Sequence, residues 1–344
     1  MYMCVCVHVR AQYIERDKDT HTSTERNEKE RGQKTVGNNM SFSILGSREE
    51  AHADALWTVC WSRSSNTVIT GSVDGTVKAW RGDSLEEIRS FEPHSLGILS
   101  VSTSENGSTF VASSMDGALS VYDLETGEKR SSIHALPLDI WCSCMSPDGA
   151  YVACGGQSGR IRWYEVASGR EAAKFDTKAG FVISICISPC GHFIAAGCKD
   201  GVVSVFDVDS REMKHQFTDH SVCVRALAFT PNSSMLLTGS DDKHIHIYSL
   251  SEGTLVRVIY GHTSWVLAVA VSPDGAHFAS SSTDQVVKIW DLKKGETVST
   301  FAGKHHDQIW GLAYNTDGSE LVSVGDDRIL CKYSCVVDVG AQTH

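Results

Sequence analysis

A chain of 344 residues with 41% hydrophobic residues carries enough apolar surface for a substantial core, which excludes wholesale disorder. Lys and Arg total 31 against 42 Asp and Glu, a net charge of -11, and no basic run is long enough to track a phosphate backbone, so direct nucleic-acid binding is disfavoured. No stretch approaches the roughly 20 apolar residues needed to span a bilayer, and the opening residues 1–10 lack the apolar core of a signal peptide; a soluble intracellular protein with no membrane partner is expected.

In chain order, residues 1–39 come first and differ from everything after them. The stretch 13–34 is charged, poor in apolar residues and free of heptads, so a disordered extension is expected. The alternating run 4–9 reads as upstream sequence translated ahead of a natural start at Met40, the other reading being a genuine flexible tail. Ser41–Leu45 is then a short strand-like segment. From Ala51 onward one period governs the text. An aromatic followed by a short polar or charged residue recurs at Trp80, Tyr122, Tyr164, Phe206, Tyr248, Trp290 and Tyr333, at steps of 42 residues and finally 43. A turn acid keeps the same step at Asp74, Asp116, Asp200, Asp242, Asp284 and Asp327, with Ser158 in the third repeat, and loop prolines fall in phase at Pro147, Pro189, Pro231 and Pro273. Three markers in phase establish seven repeats.

Each repeat contains four strand-like runs with apolar/polar alternation, separated by turns such as Ser272–Gly275, and no longer segment carries a helical apolar stripe. The expected fold is all-β: a seven-bladed β-propeller with four antiparallel strands per blade. The last repeat ends after its third strand, so Ser41–Leu45 is expected to supply the fourth and close the ring, removing an exposed sheet edge. The propeller then spans 40–335, leaving 336–344 as a short tail.

These markers resemble the WD-repeat β-propeller family over about 300 residues, Phe42 to Cys335. In that family a His, a Ser or Thr, the turn Asp and the third-strand Trp form a hydrogen-bonded tetrad. The resemblance places it on His52, Ser72, Asp74 and Trp80, and on His262, Ser282, Asp284 and Trp290. Repeats 2 and 5 put Tyr122 and Tyr248 at the Trp position. Repeats 3 and 4 carry Leu136 and Lys178 at the His position and Gly156 and Cys198 at the Ser position, so packing alone is expected to hold them as a softer arc. The segments 52–57, 94–98, 181–184, 261–267 and 307–311 further resemble the WD-repeat subunit of the superkiller complex, which also looks like the WD-repeat member of the polymerase-associated factor complex. That resemblance implies a monomeric, non-catalytic scaffold in cytoplasm and nucleus. Its implied partners are a tetratricopeptide subunit and an RNA helicase of a superkiller-type complex, and subunits of the polymerase-associated factor complex. A substrate receptor of a cullin-type ubiquitin ligase is the alternative, disfavoured because such receptors carry W-D-x-R after the third strand, where this chain has Trp290–Lys293 and Trp80-Arg81. A G-protein β-type subunit would need an N-terminal coiled coil, and heptads are absent.

No catalytic motif is present: no H-E-x-x-H, phosphate-binding loop, G-x-S-x-G or G-x-G-x-x-G. The 12 cysteines show no C-x-x-C pair or zinc-type spacing and read as small core residues. His244 and His246 share one face of a strand but lack an evident third ligand, so neither metal nor cofactor is expected. The strongest functional signal lies five residues after the His slot, at the mouth of each first strand: Trp57, Leu99, Trp141, Ile183, Arg225, Leu267 and Trp310, with Trp265 close by. Trp and Arg are enriched at binding hot spots, and one shared repeat position gathers all seven at one end of the channel. Plugging of the channel is the competing role. Asp241 and Asp326, next to the turn acids, are expected to face solvent at that rim and accept an arginine from a partner.

Overall fold

The computed structural model describes residues 40–92 and 94–337 as an all-β body. The expectations for residues 1–39 and for the tail beyond Val337 lie outside the described residues. Seven four-stranded antiparallel sheets form, six of them from strands consecutive in sequence. Blade 1 runs from the axis outward as Leu56–Ser62, Thr67–Ser72, Val77–Arg81 and Glu87–Ser90. The first strands of successive blades pack on one another around the axis.

Burial explains the composition of each strand. Second strands are covered on both faces by neighbouring blades, and Thr67–Ser72 and Thr109–Ser114 are buried at every residue, whereas the outer strand Glu87–Ser90 is largely exposed. Small residues fill these middle strands because the blades approach closely. A Cβ on Gly71 would lie 2.5 Å from Ile98 Cγ2, and one on Gly239 2.6 Å from Val266 Cγ1, so only hydrogen fits at either seam.

The ring closes as the strand arithmetic requires. Met40–Arg48 is the outermost strand of blade 7, pairing antiparallel with Leu330–Val337 from Met40↔Val337 to Arg48↔Leu330, with a bulge between Ile44 and Gly46. Phe42 and Ile44 pack against a cluster containing Phe301, Leu321 and Tyr333. Val336 and Val337 thus belong to a strand rather than to a tail. A buried lysine ties this blade to the first: Lys332 Nζ donates to the carbonyls of Gly82 (2.8 Å) and Asp83 (2.9 Å) and to Glu320 Oε1 (2.9 Å), using all three of its protons.

The tetrads exist with one member moved. In blade 6 the Trp290 indole N–H donates to Ser280 Oγ (2.7 Å), which also meets His262 Nε2 (2.7 Å), while His262 Nδ1 lies 2.9 Å from Asp284 Oδ2. In blade 1 Thr70 Oγ1 takes that bridging place, 2.8 Å from Trp80 Nε1 and 2.7 Å from His52 Nε2. Ser72 and Ser282 are therefore not the bridging hydroxyls. They sit two residues further along the same strand face, where each accepts the backbone N–H of the turn acid, Asp74 (3.1 Å) or Asp284 (3.0 Å). Blade 7 builds the same chain from His305, Ser323, Asp327 and Tyr333, a set the sequence reading missed. Blade 2, with Ala112 at the hydroxyl position, joins Tyr122 OH directly to His94 Nε2 at 3.3 Å. Blade 3 is not held by packing alone: lacking the slot histidine, it has Arg162 donating to Asp139 (2.7 Å) and to Glu171 (2.6 Å). Blade 4 likewise has polar ties beside the contact of Phe206 with Phe175 at 5.4 Å: Gln216 Nε2 donates to Thr177 O (3.1 Å) and the Gly180 N–H to Asp200 Oδ2 (3.0 Å).

These networks carry an acid dependence. Burial pushes the carboxyls of Asp74, Asp116, Asp284 and Asp327 upward, but hydrogen bonds from the histidines, hydroxyls and turn amides outweigh it and hold all four below the ordinary value. A carboxyl whose folded value lies below its unfolded one adds stability that is complete above the unfolded value and is lost as pH falls through the folded one. The melting temperature is therefore expected to drop steeply below about pH 4, and Asp284→Asn to flatten that drop. Melts that are insensitive to acid, or equally steep in the variant, would contradict the assignment.

Candidate protein-interaction face

The seven residues expected at the channel mouth share one backbone device. In blade 1 Leu56 pairs with Ser72 and Thr58 with Gly71, which leaves Trp57 out of the ladder as a β-bulge. The same shift occurs around Leu99, Ile183, Arg225, Leu267 and Trp310. In blade 3 Trp141 takes the place just ahead of the strand Cys142–Met145, its N–H donating to Gly155 O at 2.8 Å. A bulge re-aims the side chain it carries. The residue before it supplies the anchor: Leu56, Ile98, Val182, Val224, Val266 and Ile309 are fully buried. Each blade thus sinks one aliphatic side chain into the seam and turns the next toward the mouth. Because Leu56 pairs with Ser72, this mouth lies at the same end of the blade as the turn acids.

The ring is uneven. Leu99, Leu267 and Trp310 are buried (6%, 4% and 8% exposed), whereas Trp57, Trp141 and Ile183 are partly exposed and the Arg225 side chain is 11% exposed. Two of the latter lean on the following blade. Trp141 meets Phe181 edge-on at 5.1 Å, and the Arg225 guanidinium lies over the Trp265 ring at 5.0 Å. Trp265 and Phe181 are themselves half-exposed, so the accessible aromatic surface runs over blades 1, 3, 4 and 6.

Asp241 does not stand open to an incoming arginine. Arg225 of its own blade grips it bidentately, Nε to Oδ1 at 2.5 Å and Nη2 to Oδ2 at 2.9 Å, and its side chain is 8% exposed. Bulge residue and pre-turn residue face each other across the first two strands, so an Arg and an Asp at these two positions of one blade pair internally. Asp326 holds the equivalent position in blade 7, its backbone N–H donating to Gln308 O at 2.9 Å. All ten described cysteines are free thiols, six of them buried, and Cys190 is exposed.

Comparison with known proteins agrees with this architecture. The profile of the WD domain, G-beta repeat, matches seven times, at residues 45–81, 85–123, 130–165, 169–207, 211–249, 253–291 and 295–334. The chain belongs to the WD-repeat family, whose propellers act as scaffolds for protein interactions. It is also 40% identical over 63 residues to WD repeat-containing protein VIP3 of Arabidopsis thaliana, an alignment covering 17% of this chain and 20% of that protein. The chain thus spans about a fifth of the length of that relative.

Proposed function

We propose that the chain is a non-catalytic scaffold subunit working in two settings. One is a superkiller-type complex that assists the cytoplasmic exosome in RNA decay. The other is the polymerase-associated factor complex, in transcription elongation and histone modification in the nucleus. The observation that carries the reading is the shared inner-strand position that leaves Trp57, Trp141 and Ile183 partly exposed on one face, with Arg225 beside them. Such a surface suits a partner segment that inserts an apolar or aromatic anchor and is oriented by rim charge, including Asp326. The finer assignment is supported by the pattern of segments 52–57, 94–98, 181–184, 261–267 and 307–311.

The test is affinity purification of the full chain from cytoplasmic and nuclear extracts, followed by mass spectrometry. A tetratricopeptide subunit with a helicase is expected from the first extract and polymerase-associated factor subunits from the second. Recovery of a cullin adaptor in their place would overturn the reading.

A further inference from the structure

Blade 5 differs from the other six at one position of its third strand. Where they carry Lys78, Ser120, Arg162, Ser204, Lys288 and Cys331, it carries His246, which is 4% exposed. That side chain completes a cluster. The rings of His220 and His246 lie parallel at 3.7 Å with an interplanar angle of 8°, and His244 lies 6.5 Å from His246 at 9°. The Asp242 carboxylate stands between two of the three imidazoles, Oδ2 at 2.7 Å from His220 Nδ1 and Oδ1 at 3.5 Å from His244 Nδ1. Ligand atoms of His220, Asp242 and His246 all fall within 4.8 Å of one another, the one such trio among the described residues. The loop residue His220 and the turn acid Asp242 of the same blade thus add two ligand groups to His246, with His244 beside Asp242 at 3.5 Å.

The cluster opens to solvent through a pocket of about 630 Å³ whose walls include Asp219, Ser221 and Tyr260. Carboxylates at its edge favour entry of a cation. Imidazole nitrogens with a carboxylate oxygen match zinc better than calcium or magnesium, which take oxygen ligands alone.

We propose that His220, Asp242, His244 and His246 form a binding site for Zn²⁺ on the rim of blade 5. On binding, the ion takes the place of the proton that His220 Nδ1 shares with Asp242, and that proton moves to His220 Nε2, which then donates to Thr238 Oγ1. Thr238, 2.7 Å from His220 Nε2, holds the ring from behind as an outer partner of a metal ligand does.

The test is titration of the untagged, chelator-treated full chain with Zn²⁺ by calorimetry and with Co²⁺ by visible absorption. One ion per chain is expected, with a Co²⁺ spectrum of nitrogen and oxygen ligands in tetrahedral geometry and no thiolate charge-transfer band. His244→Ala, at a partly exposed side chain, and His246→Asn should each weaken binding about tenfold or more. His277→Ala, which removes the His277–Asp274 pair (3.0 Å) of blade 6, and Cys190→Ser should leave it unchanged. A thiolate band, no saturable binding below millimolar ion, or full binding in folded His244→Ala would overturn the site.

Discussion

A chain beginning at Gly46 is expected to lose several degrees of melting temperature or to aggregate, while one beginning at Met40 melts with the full chain. The shorter chain lacks Met40–Leu45 and so strips most of the outermost strand from blade 7, leaving the ladder edge of Tyr333–Val337 open. Phe42 and Ile44 go with it, uncovering the cluster around Phe301, Leu321 and Tyr333. Loss of two half-buried apolar side chains costs about 1 to 3 kcal/mol together, and at roughly 2 to 4 °C per kcal/mol for a domain of this size the shift is measurable even without the strand pairing. The exposed edge adds a route to intermolecular pairing. Scanning calorimetry with light scattering on the three chains checks this; coincident melts for all of them would refute closure by the N-terminal strand.

The fold was legible because the repeat is a one-dimensional signal: markers in phase require equal units, and a missing fourth strand in the last unit requires one from elsewhere. The tetrad hydroxyl was misread for a geometric reason. Thr70 and Ser72, like Ser280 and Ser282, sit two residues apart and face the same side of a strand. The ladder decides between them. Trp80 pairs with Val68, so the hydroxyl in reach is the diagonal neighbour Thr70, one pleat before Ser72. The sequence does contain this signal for a reader who aligns second and third strands first.

Other features were hidden because they arise between elements. A bulge leaves no mark in apolar periodicity, so the shared position of the ring was readable but its division into buried and partly exposed side chains was not. The Arg225–Asp241 pair spans 16 residues and two strands. Blade 5 alone combines Arg at the bulge with Asp before the turn acid, and that coincidence was the available clue. Arg162 with Asp139 and Glu171 likewise ties blade 3 across elements: Arg162–Glu171 falls at the same repeat positions as Lys78–Glu87, while Asp139 comes from the loop before the first strand.

The bulges gather one face of the propeller, and the division of the ring between buried and partly exposed side chains decides which residues probe it. Trp310→Ala empties a buried position and is expected to act on stability, in the range of about 3 to 5 kcal/mol for a core Trp. Trp57 and Trp141 are half-exposed, and truncating a Trp anchor at a hot spot costs about 2 kcal/mol or more of binding. The Trp57→Ala, Trp141→Ala double variant should therefore bind about a hundredfold more weakly, allowing for non-additivity. Glu105→Ala supplies the control, because Glu105 lies at the opposite end of blade 2 in an exposed pair with Arg63 at 3.4 Å, an interaction worth little. The deciding measurement is calorimetric titration of the co-purified partner with the full chain, the folded double variant and Glu105→Ala. A loss of about a hundredfold confined to the double variant is predicted, and undiminished affinity in that variant would contradict the account.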